Sequence, residues 1–206
     1  MTEPVVKVCG FTRAEDVQAA AAAGVDWFGF NLWPGSKRAQ TALQVRSLVA
    51  SLPRGRRAIG LFVDSSPTEV RDFAAVAGLH AVQLHGRERA EDWRGFPLPV
   101  IKALRVEGPQ SLTEASAWDC ETLLLDAPGP QPGGNGVCFD WALVQELAAM
   151  RRVMVAGGLT PDNVSRAVRV TRPFGVDVAS GVERAPGIKD AALIRRFVES
   201  ARSGCK

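Results

Sequence analysis

The 206-residue chain has only two histidines, His80 and His85, and four cysteines, Cys9, Cys120, Cys138 and Cys205. No two cysteines stand in a CxxC spacing, so a zinc framework built from Cys and His pairs is not expected. Basic runs are missing too. The 25 Lys and Arg and 22 Asp and Glu are spread along the chain for a net charge of +3, which does not suggest a nucleic-acid surface. No apolar run approaches the roughly 20 residues that span a bilayer. Residues 1–7 lack the charged and then apolar pattern of a secretion signal. The expectation is a cytoplasmic protein without membrane or nucleic-acid partners, in a reducing setting that leaves a thiol free for chemistry. A monomer is expected, with a homodimer as the alternative.

What the chain does have is apolar content, 46% of its residues, enough for one sizeable core and too little length for two ordinary domains. Short apolar runs alternate with amphipathic stretches. Strands are expected over 5–9, 27–32, 57–63, 81–84, 99–104, 122–125, 153–156 and 175–179. Helices are expected over 14–23, 41–52, from Pro67, and over 88–94, 139–150, 161–170 and 191–201, with Gly24 ending the first. Strand ends recur every 20–32 residues or so, the size of one βα unit. Eight such units allow a closed barrel or an open doubly wound sheet. The count of eight, and the absence of a GxGxxG after the first strand, favour a single (β/α)8 TIM barrel over residues 1–206.

A barrel of this kind carries its chemistry at the C-terminal ends of the strands. The polar residues falling there are Cys9, Asn31, Arg38, Asp64, Gln83, His85, Lys102, Asp126, Asp177 and Ser180, with the pairs Gly157-Gly158 and Ser180-Gly181. Cys9 reads either as a buried packing cysteine or as a reactive thiol, its pKa lowered by helix dipoles and nearby cations. Asp126 follows Leu123-Leu124-Leu125 and reads as a proton donor withdrawn from water or as a turn aspartate. The glycine-rich stretch 127–136 after it reads as a cover over the site or a solvated connection. The two glycine-containing pairs suit backbone N–H contacts to an anion, aided by the following helix N-termini, or serve ordinary turns. Arg38 suits a carboxylate ligand or a surface position. Lys7 and Lys102 either line the barrel mouth or are paired inside it.

The run Lys7-Val8-Cys9-Gly10-Phe11-Thr12 resembles the KxCGxT opening of the phosphoribosylanthranilate isomerases, barrel enzymes of tryptophan biosynthesis. The likeness continues in order through Ser36-Lys37-Arg38, Gln83-Leu84-His85-Gly86 and Leu124-Leu125-Asp126, then Gly133-Gly134-Asn135-Gly136 and Phe139-Asp140-Trp141. It ends with Ala156-Gly157-Gly158-Leu159, Asp177-Val178-Ala179-Ser180-Gly181 and Pro186-Gly187-Ile188-Lys189-Asp190. Asn135 and Ala179 depart from the usual residues. The resemblance implies Cys9 as general base and Asp126 as general acid, with Arg38 on the anthranilate carboxylate. It further implies a phosphate held at Gly157, Gly158, Ser180 and Gly181, with His85 and Asp177 near the sugar, and neither metal nor organic cofactor. The competing readings are another phosphosugar barrel, such as an indole-glycerol-phosphate synthase or a ribulose-phosphate epimerase, or a barrel that only senses a phosphorylated metabolite.

Overall fold

The computed structural model describes residues 2–106, 114–126 and 145–205. Eight parallel strands close into a barrel in sequence order: β1 (Val5–Cys9), β2 (Trp27–Asn31), β3 (Arg57–Phe62), β4 (Ala81–Leu84), β5 (Val100–Arg105), β6 (Thr122–Asp126), β7 (Val153–Val155) and β8 (Gly175–Val178). Closure falls between β1 and β8, where Val5 pairs with Gly175 and Lys7 with Asp177. The helices are α1 (Ala14–Ala22), α2 (Ala42–Val49), α3 (Pro67–Ala77), α4 (Gln145–Met150), α5 (Val164–Thr171) and α6 (Ala191–Ser203).

Both faces of each strand are covered, which is why the strands are nearly continuous apolar runs. The pleat still sorts residues by parity. Val6, Val8, Phe28, Phe30, Leu123 and Leu125 pack outward against the helices. Trp27, Ile59, Ala81, Ile101, Leu124 and Met154 fill the barrel interior. Truncating one of these, as in Leu124→Ala, removes packing worth about 2–5 kcal/mol. The same parity turns Lys7, Cys9, Gln83 and Asp126 inward and Lys102 outward.

Helix boundaries follow local chemistry. Thr41 and Ser66 each cap a helix through a reciprocal box with Gln44 and Glu69, and Pro67 occupies the tolerated first turn of α3. Each such cap contributes about 1 kcal/mol. Gly24 follows α1 with φ +90°, the left-handed conformation that stops a helix at little steric cost. Ile194, Phe197, Val198 and Ala201 form one buried stripe of α6 at the spacing of an amphipathic helix.

Three expectations are corrected. The helix expected over 88–94 is a four-residue 3₁₀ turn, Ala90–Trp93, with Gly95 at φ +71° closing it off. The helix expected from 161 begins at Val164, after a turn in which Thr160 N–H donates to Asn163 Oδ1. After β8 the chain forms a 3₁₀ turn, Ser180–Val182, and an antiparallel hairpin, β9 (Glu183–Ala185) with β10 (Ile188–Lys189), that the sequence reading did not anticipate. The stretch 127–136, Phe139-Asp140-Trp141, Cys138 and the first part of the helix expected over 139–150 lie outside the described residues.

Candidate active site at the mouth of the barrel

Cys9 ends β1 on the interior side and is 6% exposed. Room for its sulfur is made by Gly29, its register partner on β2, where a Cβ would fall 2.7 Å from Cys9 Sγ. Asp126 ends β6 and is 3% exposed. Both line one narrow cavity of about 40 Å³ together with Gln83, His85, Asp177 and the backbone of Gly157, Gly158, Ser180 and Gly181. A wider cleft of about 770 Å³ shares His85 with it and runs over the ends of β3, β4 and β5.

Gln83 Nε2 lies 3.0 Å from His85 Nδ1, and His85 Nε2 lies 3.2 Å from Asp126 Oδ2. An amide NH2 can only donate, so this arrangement places the ring proton of His85 on Nε2, the nitrogen facing Asp126. On the opposite wall, Lys7 is fully buried and its Nζ donates to Asp177 Oδ2 at 2.9 Å. Gln83 Oε1, Asp177 Oδ1 and His85 Nε2, the last close to Asp126 but outside hydrogen-bond geometry, are buried side-chain atoms without a hydrogen-bond partner among the described residues. Such groups are costly unless they face something polar, and all three residues border the cavity.

The charge environment of Cys9 reverses one expectation. Burial pushes the thiol above its ordinary value, and the Asp177 carboxylate adds to that. The cations of Lys7, Lys189 and Arg38 pull the other way without prevailing. Of the two readings the sequence allows for Cys9, a packing cysteine or a thiol lowered by helix dipoles and cations, the lowering fails: α1 begins only at Ala14, five residues beyond the sulfur, and desolvation outweighs the cations.

Arg38 stands apart from the other expected residues, since it does not line the narrow cavity. Its Nε and Nη2 donate to the Glu183 carboxylate at 2.8 and 2.6 Å. Lys189 shares that carboxylate at 2.9 Å and also donates to the carbonyls of Cys9, at 2.5 Å, and Ala179, at 3.1 Å. The β9–β10 hairpin thereby fastens the β8 end to the β1 end. In the sequence, Glu183 and Lys189 stand out only as members of the motif runs, with no role attached to either. Glu183 meets Arg38 across 145 residues of sequence, a separation that carries no local spacing signal.

Other strand-end residues prove structural. Asn31 Oδ1 accepts from Trp33 N–H and Asp64 from Arg87 N–H, so both hold turns. Lys102 is paired with Glu88 at 2.5 Å and lies over the Trp118 ring. Gly157 and Gly158 have φ of +82° and +63°, conformations that favour glycine. Gly158 O accepts from Asn163 Nδ2. The glycine pair therefore sits in a turn ahead of α5 rather than in its first turn, and Ser180-Gly181 opens the 3₁₀ turn rather than a regular helix.

Fold and mouth together define a (β/α)8-barrel protein with a thiol and a carboxyl from opposite walls turned to one cavity, beside a glycine-rich rim. Residues 6–200 match the family model described as N-(5'phosphoribosyl)anthranilate (PRA) isomerase. The N-(5'-phosphoribosyl)anthranilate isomerase of Myxococcus xanthus is 49% identical over 203 residues, covering 96% of each chain. The crystal structure of phosphoribosyl anthranilate isomerase from Thermotoga maritima superposes with a TM-score of 0.89 at 36% identity, over 96% of this chain and 98% of that one. A structure of phosphoribosyl anthranilate isomerase with reduced 1-(o-carboxyphenylamino)-1-deoxyribulose 5-phosphate gives 0.86 at the same identity and coverage. The chain belongs to the N-(5'-phosphoribosyl)anthranilate isomerase family.

Proposed function

We propose that this protein isomerises N-(5'-phosphoribosyl)anthranilate to 1-(2-carboxyphenylamino)-1-deoxyribulose 5-phosphate, an Amadori rearrangement in tryptophan biosynthesis. The observation that carries the reading is that Cys9, from β1, and Asp126, from β6, border the same cavity. A reaction that adds a proton to the ring oxygen and removes one from C2 of the same ligand is served by such an opposed pair.

In this reading Asp126 donates its proton to the ribose ring oxygen, the C1–O bond breaks, and the nitrogen lone pair forms an iminium. Cys9, as thiolate, removes the proton from C2, and the C–H electron pair moves toward the iminium nitrogen. The enolamine then tautomerises to the aminoketone. His85 Nε2–H, 3.2 Å from Asp126 Oδ2, offers a charge-stabilising neighbour to the carboxylate left after proton donation. The backbone of Gly157, Gly158, Ser180 and Gly181 receives the phosphate, and Asp177 Oδ1 accepts from a sugar hydroxyl. Arg38 holds the anthranilate carboxylate with the part of its guanidinium left by Glu183. Binding both anionic ends orients the reacting carbons without touching them.

One chain can supply all these groups, whether it works as a monomer or within a homodimer; the reducing cytoplasm would keep Cys9 as a thiol. The decisive experiment mixes purified protein with freshly prepared phosphoribosylanthranilate and follows loss of the substrate's fluorescence. Turnover is expected. Binding without turnover would instead favour a metabolite sensor.

A further inference from the structure

Lys7 has no part in the proton transfers described above, yet it is the largest polar side chain sealed inside the barrel, 0% exposed. An ammonium in such a place costs several kcal/mol unless it is paired. Its first partner is Asp177, its register neighbour across the β1–β8 closure, at 2.9 Å. Its second neighbour is Cys9, two residues on along β1 and therefore on the same inward face, where a thiolate would attract the ammonium through charge. Asp177 also satisfies only one of its oxygens this way, leaving Oδ1 toward the cavity. Lys7 thus stands beside an anion that is fixed and a sulfur that must be an anion before it takes the substrate proton.

We infer that Lys7 is a positioning residue for the isomerisation: its buried ammonium, anchored by Asp177, is the counter-charge that lets Cys9 exist as a thiolate inside a dry barrel. The inference rests on the reading of Cys9 as the base. The pair has opposite effects on the sulfur, since Lys7 favours the thiolate and Asp177 opposes it, with Lys7 the larger influence. Burial works against the thiolate more than either, so the ammonium is needed to limit that penalty rather than to make the thiol unusually acidic. The other charged groups acting on Cys9 are Lys189 from β10 and Arg38 from the loop after β2, both favouring the thiolate, and Glu183 neutralises part of each. Asp126 and His85 face the same cavity from β6 and the end of β4.

The test reads the sulfur directly, in full-length protein with Cys120, Cys138 and Cys205 replaced by serine so that Cys9 alone reports. The iodoacetamide alkylation rate is measured from pH 6 to 10, alongside the pH profile of kcat/KM. Lys7→Met is expected to slow alkylation at pH 8 by about tenfold, equivalent to about one pKa unit, and to move the acid limb of kcat/KM upward by a similar amount. Asp177→Asn is expected to move the alkylation profile the opposite way, toward lower pH. The double variant avoids a stranded carboxylate should Lys7→Met fold poorly, and its profile is expected above that of Asp177→Asn alone. A general loss of packing cannot produce shifts of opposite sign. Unchanged alkylation in Lys7→Met, or equal profiles for Asp177→Asn and the double variant, overturns the role of Lys7. Normal turnover by Cys9→Ala, with the alkylation shifts intact, overturns instead the base assignment on which the catalytic meaning of the pair depends.

Discussion

The Arg38 guanidinium closes on the Glu183 carboxylate at two points, Nε to Oε1 at 2.8 Å and Nη2 to Oε2 at 2.6 Å, bridging the loop after β2 to the hairpin after β8. Lys189 reaches the same carboxylate from the buried side. One acid therefore holds two cations, and with them the rim on which Cys9 depends.

Glu183→Gln should accordingly destabilise the barrel. Removing the charge leaves Arg38 and Lys189 without their common partner, at a cost of about 3 kcal/mol. Burial acts to raise the Glu183 pKa, but Arg38 and Lys189 outweigh it and hold the carboxyl below its ordinary range. A carboxyl with a depressed folded value contributes stability above its unfolded value, near about 4.3, and loses it as pH falls through the folded value. Urea unfolding should show wild type well above Glu183→Gln at pH 7, with the gap shrinking below about pH 4. A gap that is the same at both pH values would mean that the ionic pairing is not its source.

Removing either proton-transfer group should abolish most turnover without unfolding the barrel. Cys9→Ala and Asp126→Asn are each expected to lower kcat by at least about 10²-fold. Circular dichroism should match wild type, since neither side chain bridges the core layers. Wild-type kcat in either purified variant removes that residue from its role.

Arg38→Ala separates substrate binding from chemistry. Loss of a contact made equally in ground and transition states raises KM and leaves kcat nearly unchanged. Because Arg38 also neutralises Glu183, the variant should lose thermal stability as well, and a Glu183→Gln/Arg38→Ala double variant should lose less than the sum. An unchanged KM would confine Arg38 to its structural pairing.

Much of this layout was legible in the sequence. Continuous apolar strands alternating with capped helices give the barrel, and the inward parity of β1 and β6 follows once Cys9 and Asp126 are set at strand ends. The β9–β10 hairpin was not legible. Its strands are three and two residues long and mostly polar or exposed, and they are held by buried Lys189 and Glu183, which meet Cys9 and Arg38 only through the closed fold. The sign of the Cys9 shift was hidden for a related reason. Nearby cations can be guessed from composition, whereas desolvation depends on how deeply the closed barrel buries the sulfur beside Gly29. Arg38 stands in the loop after β2, where the sequence puts it, but the Glu183 carboxylate that it meets lies 145 residues away.

The phosphate reading can be tested where the backbone leaves no alternative. A Cβ at Gly181 would stand 2.0 Å from the Leu159 carbonyl oxygen and 3.1 Å from its carbon, and both atoms are main chain. The β7 and β8 ends therefore approach closely only because residue 181 has no side chain, and this closeness brings the two glycine-containing turns to one rim. Gly181→Ala must push them apart. The expected result is a raised KM for the phosphorylated substrate and weaker competitive inhibition by inorganic phosphate, with kcat reduced much less than in Cys9→Ala. The spreading also strains the rim, so a lower melting temperature is expected. If inorganic phosphate inhibits Gly181→Ala as strongly as wild type while the melting temperature falls, the rim is a structural joint and the phosphate is held elsewhere.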